Sequence, residues 1–215
     1  STSCASSSCA DPMASIYDIK PAFQNLLRPI THGLAGAGVT ANQVTVAAAL
    51  LSGAVGACIA MWPLEDWPLL LLPAFLFVRM ALNAIDGMLA REHGMKSRLG
   101  AVLNEIGDVV ADTALYLPLA WVPGFNPTLV VISAALAIIS EMTGVVAVQI
   151  GATRRYDGPM GKSDRAFVFG VAALITGLGI ARESWLTAGL VLVNTALVAT
   201  IINRARRALG TAPQS

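Results

Sequence analysis

An all-α integral membrane protein is the fold class that this sequence predicts, with six transmembrane helices preceded by an amphipathic helix lying on the cytoplasmic face of the membrane. Three observations predict it. Of 215 residues, 55% are hydrophobic and 13% are charged, against about 25% charged in an ordinary soluble domain, and the mean hydropathy is +0.67. Several apolar runs approach the ~20 residues that a helix needs to cross a bilayer. The basic residues also gather in alternate connections between those runs, although the net charge is only +1. A chain of this length could form one or two soluble domains; its composition argues against that.

Taken in order, residues 1–15 open with the polar, serine-rich run STSCASSSCADP. They are expected to be disordered or an appended remnant, with Met13 a plausible natural start, and they lack the basic and apolar regions of a signal peptide. Residues 16–34 mix Ile16, Tyr17, Phe23, Leu26, Leu27 and Ile30 with Lys20, Arg28 and His32, the pattern of a helix lying in a membrane interface. Six spans follow, at about 42–61, 68–91, 98–121, 127–151, 164–181 and 184–202, with ends uncertain by ~2–4 residues. Residues 16–207 therefore form a single membrane domain and 208–215 a flexible tail. Cys4, Cys9 and Cys58 form neither a disulfide framework nor a metal cluster, and Cys58 reads as a small packing residue.

Sidedness follows from charge. Lys20, Arg28, Arg91, Lys96, Arg98, Arg154, Arg155, Lys162, Arg165, Arg204, Arg206 and Arg207 all fall on one side, whereas WPLEDWP, VPGFN and Arg182-Glu183 on the other hold one basic residue. The positive-inside rule makes the first side, and both termini, cytoplasmic. Trp62, Trp67 and Trp121 then form an aromatic belt on the far side. Two charges lie deeper, Arg79 in the second span and Glu141 in the fourth. Their similar depth suggests a structural ion pair with each other; the alternative is that Arg79 reaches the polar site described next.

The stretch 83–112, NAIDGMLAREHGMKSRLGAVLNEIGDVVAD, is the centre of the chain. Carboxylates at membrane depth are costly and usually face a functional cavity. At about 100° per residue, Gly100, Asn104, Glu105, Asp108 and Asp112 share one arc of the third span. Arg79, Asn83, Asp86, Gly87 and Ala90 share one side of the second. The short charged link between them predicts an antiparallel hairpin across which the two oxygen-bearing faces meet. Such faces suit a hard divalent cation, Mg2+ or Mn2+, which binds oxygen ligands and helps to hold phosphates. Gly87, Ala90, Gly100 and Ala101 are small enough to let a bulky anion lie close to the backbone.

These residues resemble the signature of the CDP-alcohol phosphotransferase family, D-x2-D-G-x2-A-R-x8-G-x3-D-x3-D, at Asp86-Gly87, Ala90-Arg91, Gly100 and Asp108. The first and third aspartates are replaced by Asn83 and Asn104. The run Val39-Thr40-Ala41-Asn42-Gln43-Val44-Thr45 is similar to the family's T-P-N-x-h-T element, with Ala41 in place of proline. The resemblance implies transfer of a phosphate-linked group from a CDP-alcohol to an acceptor hydroxyl with release of CMP, in phospholipid biosynthesis. By carry-over, Asn42, Thr45, Asp86, Gly87, Ala90, Arg91 and Gly100 bind the CDP group. Asp86, Asp108, Asn83 and Asn104 hold the metal, and Asp108 is the general base. Asp112, or Glu105, is expected to restore the charge that the asparagines remove. The resemblance also implies a homodimer in a bacterial or archaeal cytoplasmic membrane, with the site opening to the cytoplasm.

CDP-diacylglycerol is the expected donor, because a lipid tail suits a site open to the bilayer. The expected acceptor is a polar alcohol, phosphorylated or not. The loop ATRRYDGPMGKSDR carries Arg154, Arg155, Lys162 and Arg165 beside Gly158, Pro159 and Gly161. It reads either as plain positive-inside topology or as an acceptor-phosphate site, and relatives with phosphorylated acceptors point to the second. Alternatives are a soluble CDP-alcohol donor with a lipid acceptor, or a CDP-lipid-binding protein without turnover. An ion-coupled transporter would need inverted repeats or paired broken helices, which the sequence lacks, and no nucleic-acid partner is implied.

Overall fold

The computed structural model describes residues 16–211, with side chains from residue 23 onward. The expectations for residues 1–15, including Cys4 and Cys9, lie outside the described residues. The described chain is α-helical, with no strand. The helices are α1 (Ile16–Gly36), α2 (Ala41–Met61), α3 (Trp67–Glu92), α4 (Arg98–Tyr116), α5 (Pro127–Gln149), α6 (Lys162–Gly177) and α7 (Glu183–Thr211), and a 3-10 turn, Leu117–Trp121, prolongs α4. The tail expected from residue 208 is helical as far as Thr211, and residues 212–215 are not described.

Local chemistry fixes where the helices start. Thr40 caps α2, with its Oγ1 accepting from the Gln43 N–H and the Gln43 side chain accepting from the Thr40 N–H, a reciprocal capping box. Ser97 accepts from the Gly100 N–H at 2.9 Å to start α4. Asn126 accepts from the Leu129 N–H at 3.1 Å, just ahead of Pro127 in the first turn of α5. At the start of α6 the Asp164 carboxylate accepts from the Gly161 N–H at 2.9 Å.

Four helices, α2, α3, α5 and α7, are long and apolar enough to cross a membrane. α6 has 16 residues, and α4 carries Arg98, Glu105, Asp108 and Asp112, so neither is recognisable as a span by length and composition. The surface of the bundle is apolar, with Leu50, Phe77, Met142 and Leu192 all exposed. Contiguous apolar surface on this scale suits lipid rather than water, and the protein is a membrane protein. Inside, Ile59, Leu72, Leu115, Leu119, Val130, Phe169 and Leu197 make the main core. A second cluster of Leu27, Val44, Ile85, Met88 and Leu89 seats α1 at one end of α2 and α3.

One arrangement differs from the expected hairpin. α4 does not pack along α3; both pack on α2, and α3 also packs on α6. Gly56 accounts for the closeness of α4 to α2, because a Cβ there would lie 1.9 Å from the Ala114 carbonyl oxygen. Small residues allow such backbone approach between membrane helices. With both partners drawn to α2, a cleft opens between α3 and α4 where the sequence suggested direct contact. Gly56→Ala should therefore wedge α4 away from α2 and destabilise the protein by roughly 1–3 kcal/mol, read as a lower unfolding temperature in detergent. An unchanged transition would contradict the crossing.

Candidate active site

The mouth of that cleft lies where α2 and α4 begin and α3 ends. All seven residues expected to bind the CDP group, Asn42, Thr45, Asp86, Gly87, Ala90, Arg91 and Gly100, line one cavity of about 420 Å3. Thr45 Oγ1 donates to Asp86 Oδ2 at 2.8 Å, which fixes the carboxylate of a residue only 5% exposed. The two glycines are small for a reason. A Cβ on Gly100 would lie 2.6 Å from Asn42 Oδ1, and one on Gly87 would meet the Arg91 guanidinium at 3.0 Å. Met95, Lys96 and Ser97 also line the cavity and were missed as site residues. Ser97 carried a signal, since a serine three residues before Gly100 reads as a helix cap.

Asp108 stands deeper in the cleft, among cations and an amide. Its carboxylate is paired with the Lys162 ammonium, lies 3.7 Å from Arg79 Nη2, and accepts from Asn83 Nδ2 at 3.4 Å. Arg79 Nη2 also donates to the Asp108 carbonyl at 3.2 Å. Asn83 and Lys162 belong to a second cavity of about 490 Å3 between α3 and α6, walled by Pro73, Leu76, Phe77, Met80, Phe167, Val171 and Leu174. Asn104, by contrast, lines the first cavity. The two asparagines thus line different cavities.

Below Asp108 runs a buried chain of ion pairs that bears on three expectations. Asp112 Oδ1 lies 2.6 Å from Arg79 Nη1, a close ion pair without hydrogen-bond directionality, and its Oδ2 accepts from Arg165 Nη2 at 2.8 Å. Asp112 is 4% exposed, and both of its oxygens lie against arginines. Glu105 is committed too, to Arg154. The expected Arg79–Glu141 pair does not form. Glu141 meets Arg165 at 3.1 Å, Arg154 at 3.2 Å and Arg204 at 3.4 Å, because α3 neighbours α6 and not α5. Equal depth did not mean adjacency, and it is the alternative, Arg79 at the site, that holds. Lastly, each of the four basic residues expected to hold an acceptor phosphate is paired with a carboxylate: Arg154 and Arg165 as above, Lys162 with Asp108, and Arg155 with Asp157 at 2.7 Å. Burial pushes Asp157 upward, but its bonds and charge contacts with Arg155 and Arg207 outweigh that and hold its carboxyl below the usual range.

The donor set of the cleft is compatible in kind with a divalent cation. Asp86 and Asp108 offer carboxylate oxygens, and Asn83 and Asn104 offer amide oxygens, all hard ligands suited to Mg2+ or Mn2+. It is a sparse set, for no three acidic, histidine or cysteine side chains converge among the described residues.

Comparison with known proteins identifies the family. The model of the CDP-alcohol phosphatidyltransferase family matches residues 38–202, and the chain belongs to that family of membrane transferases. Among curated proteins it is 45% identical over 194 residues to the inner membrane protein YnbA of Escherichia coli, covering 90% of this chain and 96% of that one. It is 26% identical over 201 residues to the phosphatidylinositol phosphate synthase of Mycolicibacterium smegmatis, covering 89% and 88%. Crystal structures of the Mycobacterium tuberculosis phosphatidylinositol phosphate synthase share the fold. The one with CDP-DAG bound has a TM-score of 0.72 at 23% identity, covering 86% of this chain and 94% of that one. Another is in complex with manganese and citrate.

Removing one charge from the buried chain should be costly. Asp112→Asn leaves Arg79 and Arg165 under-compensated, and loss of one partner from a buried pair costs roughly 3–5 kcal/mol. Thermal unfolding in detergent should show a large fall for this variant and a smaller one for Asp157→Asn, whose carboxylate is 22% exposed and shared between Arg155 and the more than half-exposed Arg207. Equal effects would contradict the network.

Proposed function

We propose that this protein transfers a phosphatidyl group from CDP-diacylglycerol to an acceptor hydroxyl, releasing CMP, in phospholipid biosynthesis. The observation that carries the lipid donor is the apolar groove between α3 and α6, which has Asn83, Arg79 and Lys162 at its polar end. Its polar end adjoins Asp108, so a diphosphate lying there would leave its acyl chain a place against Phe77, Phe167 and Leu174. A soluble CDP-alcohol would have no use for such a groove.

The nucleotide lies in the cavity of Asn42, Thr45, Asp86, Gly87, Ala90, Arg91 and Gly100. Arg91 and Lys162 face its phosphates, with Arg79 behind, and hydrogen bonds from guanidinium to phosphate are strong and directional. The acceptor hydroxyl oxygen attacks the phosphorus that carries the lipid and forms the new O–P bond. The bond from that phosphorus to the bridging oxygen breaks, and CMP leaves with the electron pair. Asp108 takes the hydroxyl proton as general base, for which its carboxylate must come within hydrogen-bond reach of the acceptor. Asp86, Asp108, Asn83 and Asn104 would hold a divalent cation, Mg2+ or Mn2+, which neutralises phosphate charge when bound.

The same reading has α4 and α6 cross the membrane beside the four apolar helices, their charges turned into the bundle, giving six spans. It places α1 on the cytoplasmic surface with both termini and the site on that side. In support, the basic residues of the loop 150–161 and of the end of α7 lie at the same end of the bundle as the nucleotide cavity. The exposed stripe Leu99, Val102, Ile106 and Val110 of α4 supports association as a homodimer.

Purified protein should release CMP from CDP-diacylglycerol when given an alcohol acceptor and Mg2+ or Mn2+. Chelation by EDTA should stop the reaction. Asp108→Asn should slow it by about 10²–10⁴-fold, the usual contribution of a general base, with the KM for the donor little changed. Asp86→Asn should raise that KM as well. Near-normal CMP release from either variant would overturn the assignment of roles.

A further inference from the structure

We infer that Glu141 is a specificity-determining residue that restricts the acceptor to an uncharged polyhydric alcohol, an inference that rests on the transfer reaction assigned above. The loop and helix ends beyond Asp108 look, by composition, like an anion site. Their charges are already spent. Arg165 and Arg204 are 1% and 2% exposed at their side chains, and Glu141, itself 12% exposed, meets both of them as well as Arg154. Arg204 Nη1 donates in addition to the Ser140 carbonyl at 2.6 Å. A phosphate ester needs several donors free to converge on three oxygens, and here they converge on a carboxylate instead. Arg165 Nη1 is a buried guanidinium nitrogen without a hydrogen-bond partner, and Arg165 borders a cavity of only about 10 Å3, enough for about one water and no more.

Five cations, Arg79, Arg154, Arg165, Arg204 and Lys162, face four carboxylates, Glu105, Asp108, Asp112 and Glu141. The single surplus charge is the most that this group can offer to incoming phosphates. A second phosphate, on the acceptor, would meet Glu141 and Glu105 as like charges, which is how binding sites reject a wrong partner. Accessible next to Asp108, besides Lys162 at 29%, is the Glu105–Arg154 pair, 31% and 19% exposed, with Glu105 three residues away on α4 and so on the same face. It offers carboxylate acceptors beside guanidinium donors. That combination matches neighbouring hydroxyl groups, each of which both donates and accepts.

The test uses full-length protein with CDP-diacylglycerol and compares glycerol and myo-inositol with glycerol 3-phosphate and inositol phosphate. In wild type, kcat/KM for the uncharged acceptors should exceed that for their phosphorylated forms by tenfold or more. Glu141→Gln should narrow that ratio at least tenfold, chiefly through the KM of the phosphorylated acceptor. A wild-type preference for the phosphorylated forms, or a ratio that Glu141→Gln leaves unchanged, would overturn the inference. Calorimetric binding of glycerol 3-phosphate, with the nucleotide cavity filled by CMP, gives a readout independent of turnover. Glu141→Gln should bind it at least tenfold more tightly than wild type, and equal affinity would overturn the proposal. If no acceptor supports transfer but this binding still depends on Glu141, the transfer reaction falls and the acceptor inference stands. Glu105→Gln, at a more exposed carboxylate, should shift both readouts in the same direction if Glu141→Gln does not fold.

Discussion

Arg79, Asp112 and Arg165 form a triad on three different helices, and all three are nearly inaccessible. Charges cannot stay unpaired inside a membrane bundle, so α3, α4 and α6 must adopt positions in which these side chains reach one another. Glu141 carries the chain on to Arg154 and Arg204, drawing α5, α7 and the loop 150–161 into the same register. Apolar packing alone would leave these helices free to slide, since lipid is as good a neighbour as leucine. The ion pairs remove that freedom, and the site at the neighbouring end of the bundle inherits the order they impose.

Two consequences follow for the cleft. Arg79 is long enough to bridge α3 to α4 at Asp112 and the backbone of Asp108, so those helices can stand apart without losing each other. Gly56 takes up the slack by letting α4 sink onto α2 against Ala114. The space so opened is filled by nothing from the protein, and its rim is the Asp86-Gly87, Ala90-Arg91 and Gly100 sequence. A tightly packed hairpin would have had no room for a nucleotide.

The rim was legible from the sequence because spacing along one helix fixes which residues share a face. Asn42 and Thr45 could be added because their T-x-N-x-x-T-like run resembled the family element. Partners between helices were another matter. Arg79 and Glu141 lie at similar depth, yet depth along the chain does not say which helices adjoin, and α3 turned out to neighbour α6. Asp112 continues the Gly100–Asn104–Asp108 stripe as expected, but the stripe winds away from the cleft, and Arg165 was there to meet it. The loop 150–161 likewise read as a set of cations. The carboxylates that neutralise them, Glu105, Glu141 and Asp157, come from three separate parts of the chain.

The central claim is that the cleft between α3 and α4, with the groove between α3 and α6, holds a CDP-linked lipid around Asp108. An experimental structure of the protein with CDP-diacylglycerol tests it most directly. The account predicts cytidine density between Asn42 and Gly100, phosphates beside Arg91 and Lys162, and an acyl chain along Phe77 and Phe167, with Glu141 still bonded to Arg165 and Arg204. Nucleotide density elsewhere in the bundle, or phosphates held by Arg165 and Arg204 in place of Glu141, would contradict it.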